Sequence, residues 1–172
     1  MRKLSYFVAC SLDGYIATTD RRVDWLAHEG DYGYSEFLEG VDVILIGRTT
    51  YDLAFLLSGK WLMPGKKAWV FSTTRTDSPF KEVSFAQGDA LAFVKKLKAK
   101  KGKKKIWLVG GSNLAGQVME EVDELVVTIH PVTLGEGVPL FSKRDVRIHW
   151  RLRSTNSWPN GLVQLTYDRA GL

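Results

Sequence analysis

The sequence predicts an α/β domain with a mostly parallel sheet and an antiparallel edge. Two observations lead there. Through residue 122, short apolar runs alternate with amphipathic helical patterns, the sign of strands covered by helices. Beyond residue 122 the chain turns to strands rich in β-branched residues, the last two joined by a turn carrying Pro and Asn-Gly.

The apolar runs at 3–10 (KLSYFVAC), 41–46 (VDVILI), 67–71 (KAWVF) and 105–109 (KIWLV) suit strands buried on both faces of a parallel sheet. Residues 32–39 and 49–57 read as helices. In DALAFVKKLKAK, Ala90, Phe93, Val94 and Leu97 recur at i, i+3, i+4 and i+7, with Asp89 placed as the N-cap. Leu114, Val118 and Val122 form a further helical stripe. Then come the strands ELVVTIHPV, VRIHWRLRST and LVQLTYDRA, the last two forming a hairpin through NSWPNG. The order is β-α-β-α-β-α-β-α-β followed by that hairpin.

A chain of 172 residues, 45% apolar and 25% charged, reads as one soluble domain spanning 1–172. No apolar run approaches the ~20 residues of a membrane span. The apolar stretch of MRKLSYFVACSLDG is too short for a signal sequence and meets Asp13 and Gly14 at once. Cys10 is the lone cysteine, so no internal disulfide forms and the cytoplasm is the expected compartment. His28, His130 and His149 are scattered, and no metal site is expected. The net charge of +5 is concentrated: KKLKAKKGKKK at 95–105 holds eight lysines, and the rest of the chain is mildly acidic. The run reads as a solvated helix end and loop rather than a nucleic-acid surface, because no aromatic residues interleave with it.

Ligands of open α/β sheets bind beyond the carboxyl ends of the strands. Three such ends carry suitable groups: VDVILI runs into GRTTY, KAWVF into STTR, and KIWLV into GGSNL. Free N–H groups at helix starts attract anions, and Arg48 and Arg75 suit a phosphate. Taken singly, Gly47 only makes a turn and Thr49 or Thr50 only caps a helix. One extended ligand with several phosphates accounts for all three ends together. Neither a Walker A motif nor GxGxxG is present.

With SLDGYIA near the start, GRTTY, the Ser-Thr after 67–71, GGSNL, and VDELVVTIHPVTLGEGVPLF, the chain resembles the dihydrofolate reductase fold. Within it, the resemblance is to the branch of the reductase domain of the bifunctional riboflavin-biosynthesis deaminase–reductase. The resemblance implies a central eight-stranded sheet with flanking helices, NADPH bound in extended form, and hydride transfer to a heterocycle-bearing substrate. Carried over by position, Gly110, Gly111, Ser112 and Asn113 meet the pyrophosphate. Gly47, Arg48, Thr49 and Thr50 form the other phosphate-binding helix start, with Arg48 toward the 2′-phosphate. Ser72 and Thr73 lie near the adenine ribose, and the backbone of Ala9 and Ile16 holds the nicotinamide carboxamide.

On the substrate side, the family's carboxylate sixteen residues before the GR glycine falls on Asp31, and its strand threonine on Thr128. A carboxylate beside a hydroxyl would hold a pteridine or pyrimidine edge and assist proton delivery. Asp31 also stands where it would cap the helix begun by DYGYSEFLEG, and both readings stay open. Trp25 and Tyr51 are candidate pocket walls or core residues. The zinc deaminase signature is absent. The resemblance therefore implies a stand-alone NADPH-dependent reductase of a small pyrimidine- or pterin-like substrate, foremost 5-amino-6-(5-phosphoribosylamino)uracil. Dihydrofolate reduction and cofactor binding without turnover are the alternatives. The relatives and the late strands together suggest a homodimer.

Overall fold

The apolar runs read from the sequence lie side by side as the interior of one sheet. The computed structural model describes residues 1–171 except 57, 62 and 143–146. In chain order the elements are β1 (Leu4–Ser11), β2 (Tyr15–Ala17), α1 (Tyr34–Glu39), β3 (Val41–Gly47), α2 (Arg48–Tyr51), β4 (Lys67–Phe71) and β5 (Val83–Ala86). They continue with α3 (Ala90–Ala99), β6 (Lys105–Gly110), α4 (Ser112–Val118), β7 (Glu124–His130), β8 (Val138–Pro139), β9 (Trp150–Ser157) and β10 (Val163–Arg169). Eight strands pair in the order β5-β4-β3-β6-β1-β7-β10-β9. All pairings from β5 to β7 are parallel, and β10 joins β7 and β9 antiparallel. The NSWPNG turn closes the β9–β10 hairpin, with Trp158 donating to the Leu162 carbonyl at 3.0 Å.

Helices cover both faces of the sheet, and each face has its own core. On one, Leu4, Tyr6, Leu45 and Leu108 pack beneath α3 and α4 through Val94, Leu97, Leu114 and Val118. On the other, Ile44, Ile46 and Val70 pack with Tyr51 and Phe55. The predicted cap of α3 forms: Asp89 accepts from the Ala92 N–H at 3.0 Å. Two lysines of the basic run turn inward. Lys98 bonds Glu121 and Asp123, and Lys105 meets the buried Glu124.

The structure corrects several boundaries. The helix expected over 49–57 is one α-turn followed by a π-helical turn over Asp52–Leu56; residue 57 lies outside the described residues. The strand expected from 146 begins at Trp150, and 146 itself lies outside the described residues. β5 adds an edge strand directly after β4, and β2 pairs with β8 in a small separate ribbon.

Candidate active site

The carboxyl ends of β1, β3, β4, β6 and β7 open into one cavity of about 1110 Å³. Of the residues singled out in the sequence, it is lined by Ala9, Ile16, Asp31, Gly47, Arg48, Thr49, Thr50, Ser72, Thr73, Gly111, Asn113 and Thr128. Strand register accounts for much of this convergence. Ala9 pairs with Thr128 across β1 and β7, and Gly47 with Phe71, next to Ser72, across β3 and β4.

The ends of β3 and β6 meet backbone to backbone. A Cβ on Gly47 would stand 3.3 Å from the Gly111 nitrogen, and one on Gly111 would stand 3.2 Å from Thr50 Oγ1. Side chains would force these two helix starts apart, so glycine keeps their N–H groups together at the cavity wall. The Gly110–Gly111 peptide is cis. Gly110 and Ser112 are not part of the lining: Ser112 is buried, its hydroxyl has no partner among the described residues, and its carbonyl accepts from Ser142 at 3.0 Å.

A separate open cleft of about 570 Å³ shares Arg48 with the cavity and is bounded also by Asp52, Thr74 and Arg75. Asp52 orders both cations, accepting from Arg48 at 3.3 Å and from Arg75 at 2.8 Å, while Arg48 also donates to Thr74 Oγ1 at 3.1 Å. The Ser72 hydroxyl shapes the turn beside them, accepting from the Thr74 and Arg75 N–H groups at 3.2 and 2.9 Å. Guanidinium groups beside helix starts are chemically suited to an anion such as phosphate.

At the opposite end, the expected partnership of Asp31 with Thr128 does not form. Asp31 accepts from the Ser35 N–H and hydroxyl at the start of α1, and the Ser35 hydroxyl above all holds its carboxyl below the usual range. Thr128 is bonded to Gln164 instead, at 3.0 Å. Tyr51 is not a wall of the cavity: it is fully buried in the core, its hydroxyl 2.8 Å from Ser78 Oγ. Trp25 does not line the cavity either. It stands edge-on to His130, with ring centroids 5.4 Å apart.

His130 does line the cavity, as do His28, Arg21 and the aromatic group of Phe7, Tyr34 and Trp107. Sequence reasoning passed over all of them. His130 is 5% exposed, and its Nδ1 has no partner among the described residues. Burial first, and the nearby His28, push its pKa below the ordinary value against a hydrogen bond donated to the Thr128 backbone, so the ring is neutral near pH 7. Its sequence signal was the two-residue spacing from Thr128 on one strand, which puts both on one face of β7.

Comparison with known proteins gives a consistent result. The family model described as RibD C-terminal domain matches residues 56–164. The protein YwjB of Bacillus subtilis is 38% identical over 98% of this chain and 99% of its own. A crystal structure from Shewanella sp. PV-4, whose name assigns it to riboflavin biosynthesis, superposes with a TM-score of 0.81 at 30% identity, covering 99% of this chain and 100% of that one. The dihydrofolate reductase of Enterococcus faecalis, solved with NADP(H), shares the fold: its TM-score is 0.69 at 19% identity over 98% and 97% of the two chains.

Proposed function

Because the chain belongs to the RibD C-terminal domain family, we propose that it is an NADPH-dependent reductase of a small pyrimidine-like substrate. The substrate favoured is 5-amino-6-(5-phosphoribosylamino)uracil, reduced at the sugar carbon that bears the amine. One observation carries this reading: the cavity that holds Arg48 and the apposed glycines of β3 and β6 is also walled by Phe7, Tyr34 and Trp107, and the cleft holding Arg75 adjoins it at Arg48. The cavity joins phosphate-binding groups to an aromatic wall suited to a flat heterocycle.

The residues present fit the dinucleotide. Arg48 and Arg75 would take the 2′-phosphate, Gly111 and the N–H groups after Gly47 the pyrophosphate, and the backbone of Ala9 and Ile16 the nicotinamide amide. The bound cofactor supplies the hydride. The chain itself orients the two rings and excludes water from between them. Asp31 is tied to its helix and takes no part in proton transfer, as expected where the hydride acceptor is a sugar carbon rather than a ring that must first be protonated. The NADP(H) bound by the Enterococcus enzyme, on the same fold, supports the choice of cofactor. Following NADPH absorbance with ribosylaminopyrimidines, pterins and dihydrofolate in parallel tests the proposal. Consumption only with the ribosylaminopyrimidine is expected; consumption only with dihydrofolate, or with none, would overturn it.

A further inference from the structure

Thr128 and Gln164 face each other in register across β7 and β10, and both are more than nine-tenths buried. The Gln164 amide nitrogen donates twice, to Thr128 Oγ1 at 3.0 Å and to the Tyr32 carbonyl at 3.1 Å. A carbonyl can only accept, so the Tyr32 oxygen settles which end of the amide is nitrogen, and both amide hydrogens are spent. Tyr32 is itself held in place, accepting a 2.7 Å hydrogen bond from Asn160 and standing edge-on to Trp158. Thr128 Oγ1 is therefore an acceptor toward Gln164. Its own proton has no acceptor among the described residues, and Thr128 lines the cavity.

We propose that Gln164 is a positioning residue that sets the class of heterocycle this cavity takes. By filling a lone pair of the Thr128 hydroxyl, it turns that hydroxyl into a donor toward the ligand, which must present an acceptor such as a ring carbonyl. A ring bearing only amino groups at that edge meets a donor with a donor and leaves the buried hydroxyl unsatisfied. The register of Thr128 with Ala9 places this donor beside the strand position proposed for the nicotinamide amide, next to the reacting ring. The inference rests on the reductase reading only in taking the ligand to be a pyrimidine.

The test uses two rings that carry oxygen or NH₂ at positions 2 and 4, with the ring nitrogens bearing hydrogen in the first and bare in the second: 5,6-diaminouracil and 2,4,5,6-tetraaminopyrimidine, titrated into the NADP⁺-saturated protein by calorimetry. The dioxo ring is expected to bind about ten-fold more tightly, the value of one hydrogen bond. Gln164→Met, close in volume, should bring the ratio near one. It should also raise KM for a dioxo substrate with kcat little changed, a split that loosened packing would not produce. Thr128→Val should also abolish the preference, and the double variant should go no further; if Gln164→Met fails to fold, Thr128→Val carries the comparison. A ratio at or below one in the unmutated protein, an unchanged ratio in folded Gln164→Met, or binding of neither ring would overturn the inference. A preference for the dioxo ring without NADPH consumption by any substrate would uphold it and sink the reductase reading. Turnover without ring preference would do the reverse.

Discussion

The Asp31 carboxylate closes on Ser35, accepting from its backbone N–H at 3.0 Å and from its hydroxyl at 2.5 Å. This is the work of a helix-start residue, done two positions ahead of the left-handed Gly33 at the N-cap. Asparagine keeps an acceptor there. Asp31→Asn is therefore expected to melt close to the unmutated protein and to leave the single-turnover rate within about three-fold, whereas loss of acid–base help costs about 10²-fold or more. A loss of that larger size in single-turnover measurements would return Asp31 to the chemistry.

Both roles of Asp31 were readable from spacing alone, and only the direction of its side chain decides between them. The same limit explains Tyr51. It follows GRTT as a pocket residue would, but its ring packs in the core with Phe55 and its hydroxyl meets Ser78, contacts that no local pattern signals. β5 escaped because VSFA is four residues long and depends on pairing with β4 rather than on its own periodicity. Gln164 is one polar position in an alternating strand until the register sets it opposite Thr128. By contrast the parallel strands, the α3 cap and the glycine-rich strand ends were legible, because burial on two faces and capping leave marks in local sequence.

Arg48 reaches the cleft with half its side chain exposed, braced by Asp52. If it meets a 2′-phosphate, Arg48→Ala should weaken NADPH binding about ten-fold and leave NADH binding nearly unchanged, the loss of one charge-assisted bond. Calorimetry with both cofactors checks this. Equal affinity of the unmutated protein for the two would remove Arg48 from the 2′-phosphate.

Glu124 is buried between Ser5 at 2.8 Å, Lys105 at 2.7 Å and Arg153 at 2.5 Å. Burial alone would raise its pKa, but these three bonds outweigh it and hold the carboxyl below its ordinary value of 4.5. A depressed folded-state pKa stabilises the fold above the unfolded value, and the contribution is lost as pH falls through the folded one. Glu124→Gln should cost roughly 3 kcal/mol at pH 7, the lower end for a buried pair because both cations reach solvent. The difference should shrink as pH drops below about 4. Urea unfolding at pH 7 and at successively lower pH measures both; a difference independent of pH would dissociate Glu124 from the acid sensitivity.

At the far edge of the sheet, β9 offers an outer row of backbone groups and an exposed Leu152. Uncovered edges invite pairing, and two-fold dimers are the commonest assembly. Light scattering at micromolar concentration should give twice the 19.4 kDa chain mass, and Leu152→Lys should shift it toward one. A monomer mass for the unmutated protein would refute the dimer.

The lysine run divides into two physical classes, and its substitution should divide the same way. Lys100, Lys101, Lys103 and Lys104 are exposed, and none of them lines the cavity. Charges in water beyond a Debye length of about 8–10 Å are largely screened. Exchanging these four for glutamine should leave both the melting temperature and kcat/KM close to those of the unmutated protein. Lys98 differs: it is 5% exposed, donates to the Glu121 carbonyl at 2.7 Å and pairs with Asp123 at 2.8 Å. The Asp123 carboxylate also accepts from the Leu4 N–H at 2.7 Å, so the cluster fastens α3 to the start of β1. Lys98→Met would leave two carboxylates facing each other without their cation and should cost about 2 kcal/mol of stability. Its kcat/KM should hold wherever the protein stays folded. If instead the four exposed substitutions lower kcat/KM, and the loss shrinks with added salt, the run is steering an anionic substrate toward the cavity. A salt-independent loss would place one of those lysines within reach of the ligand.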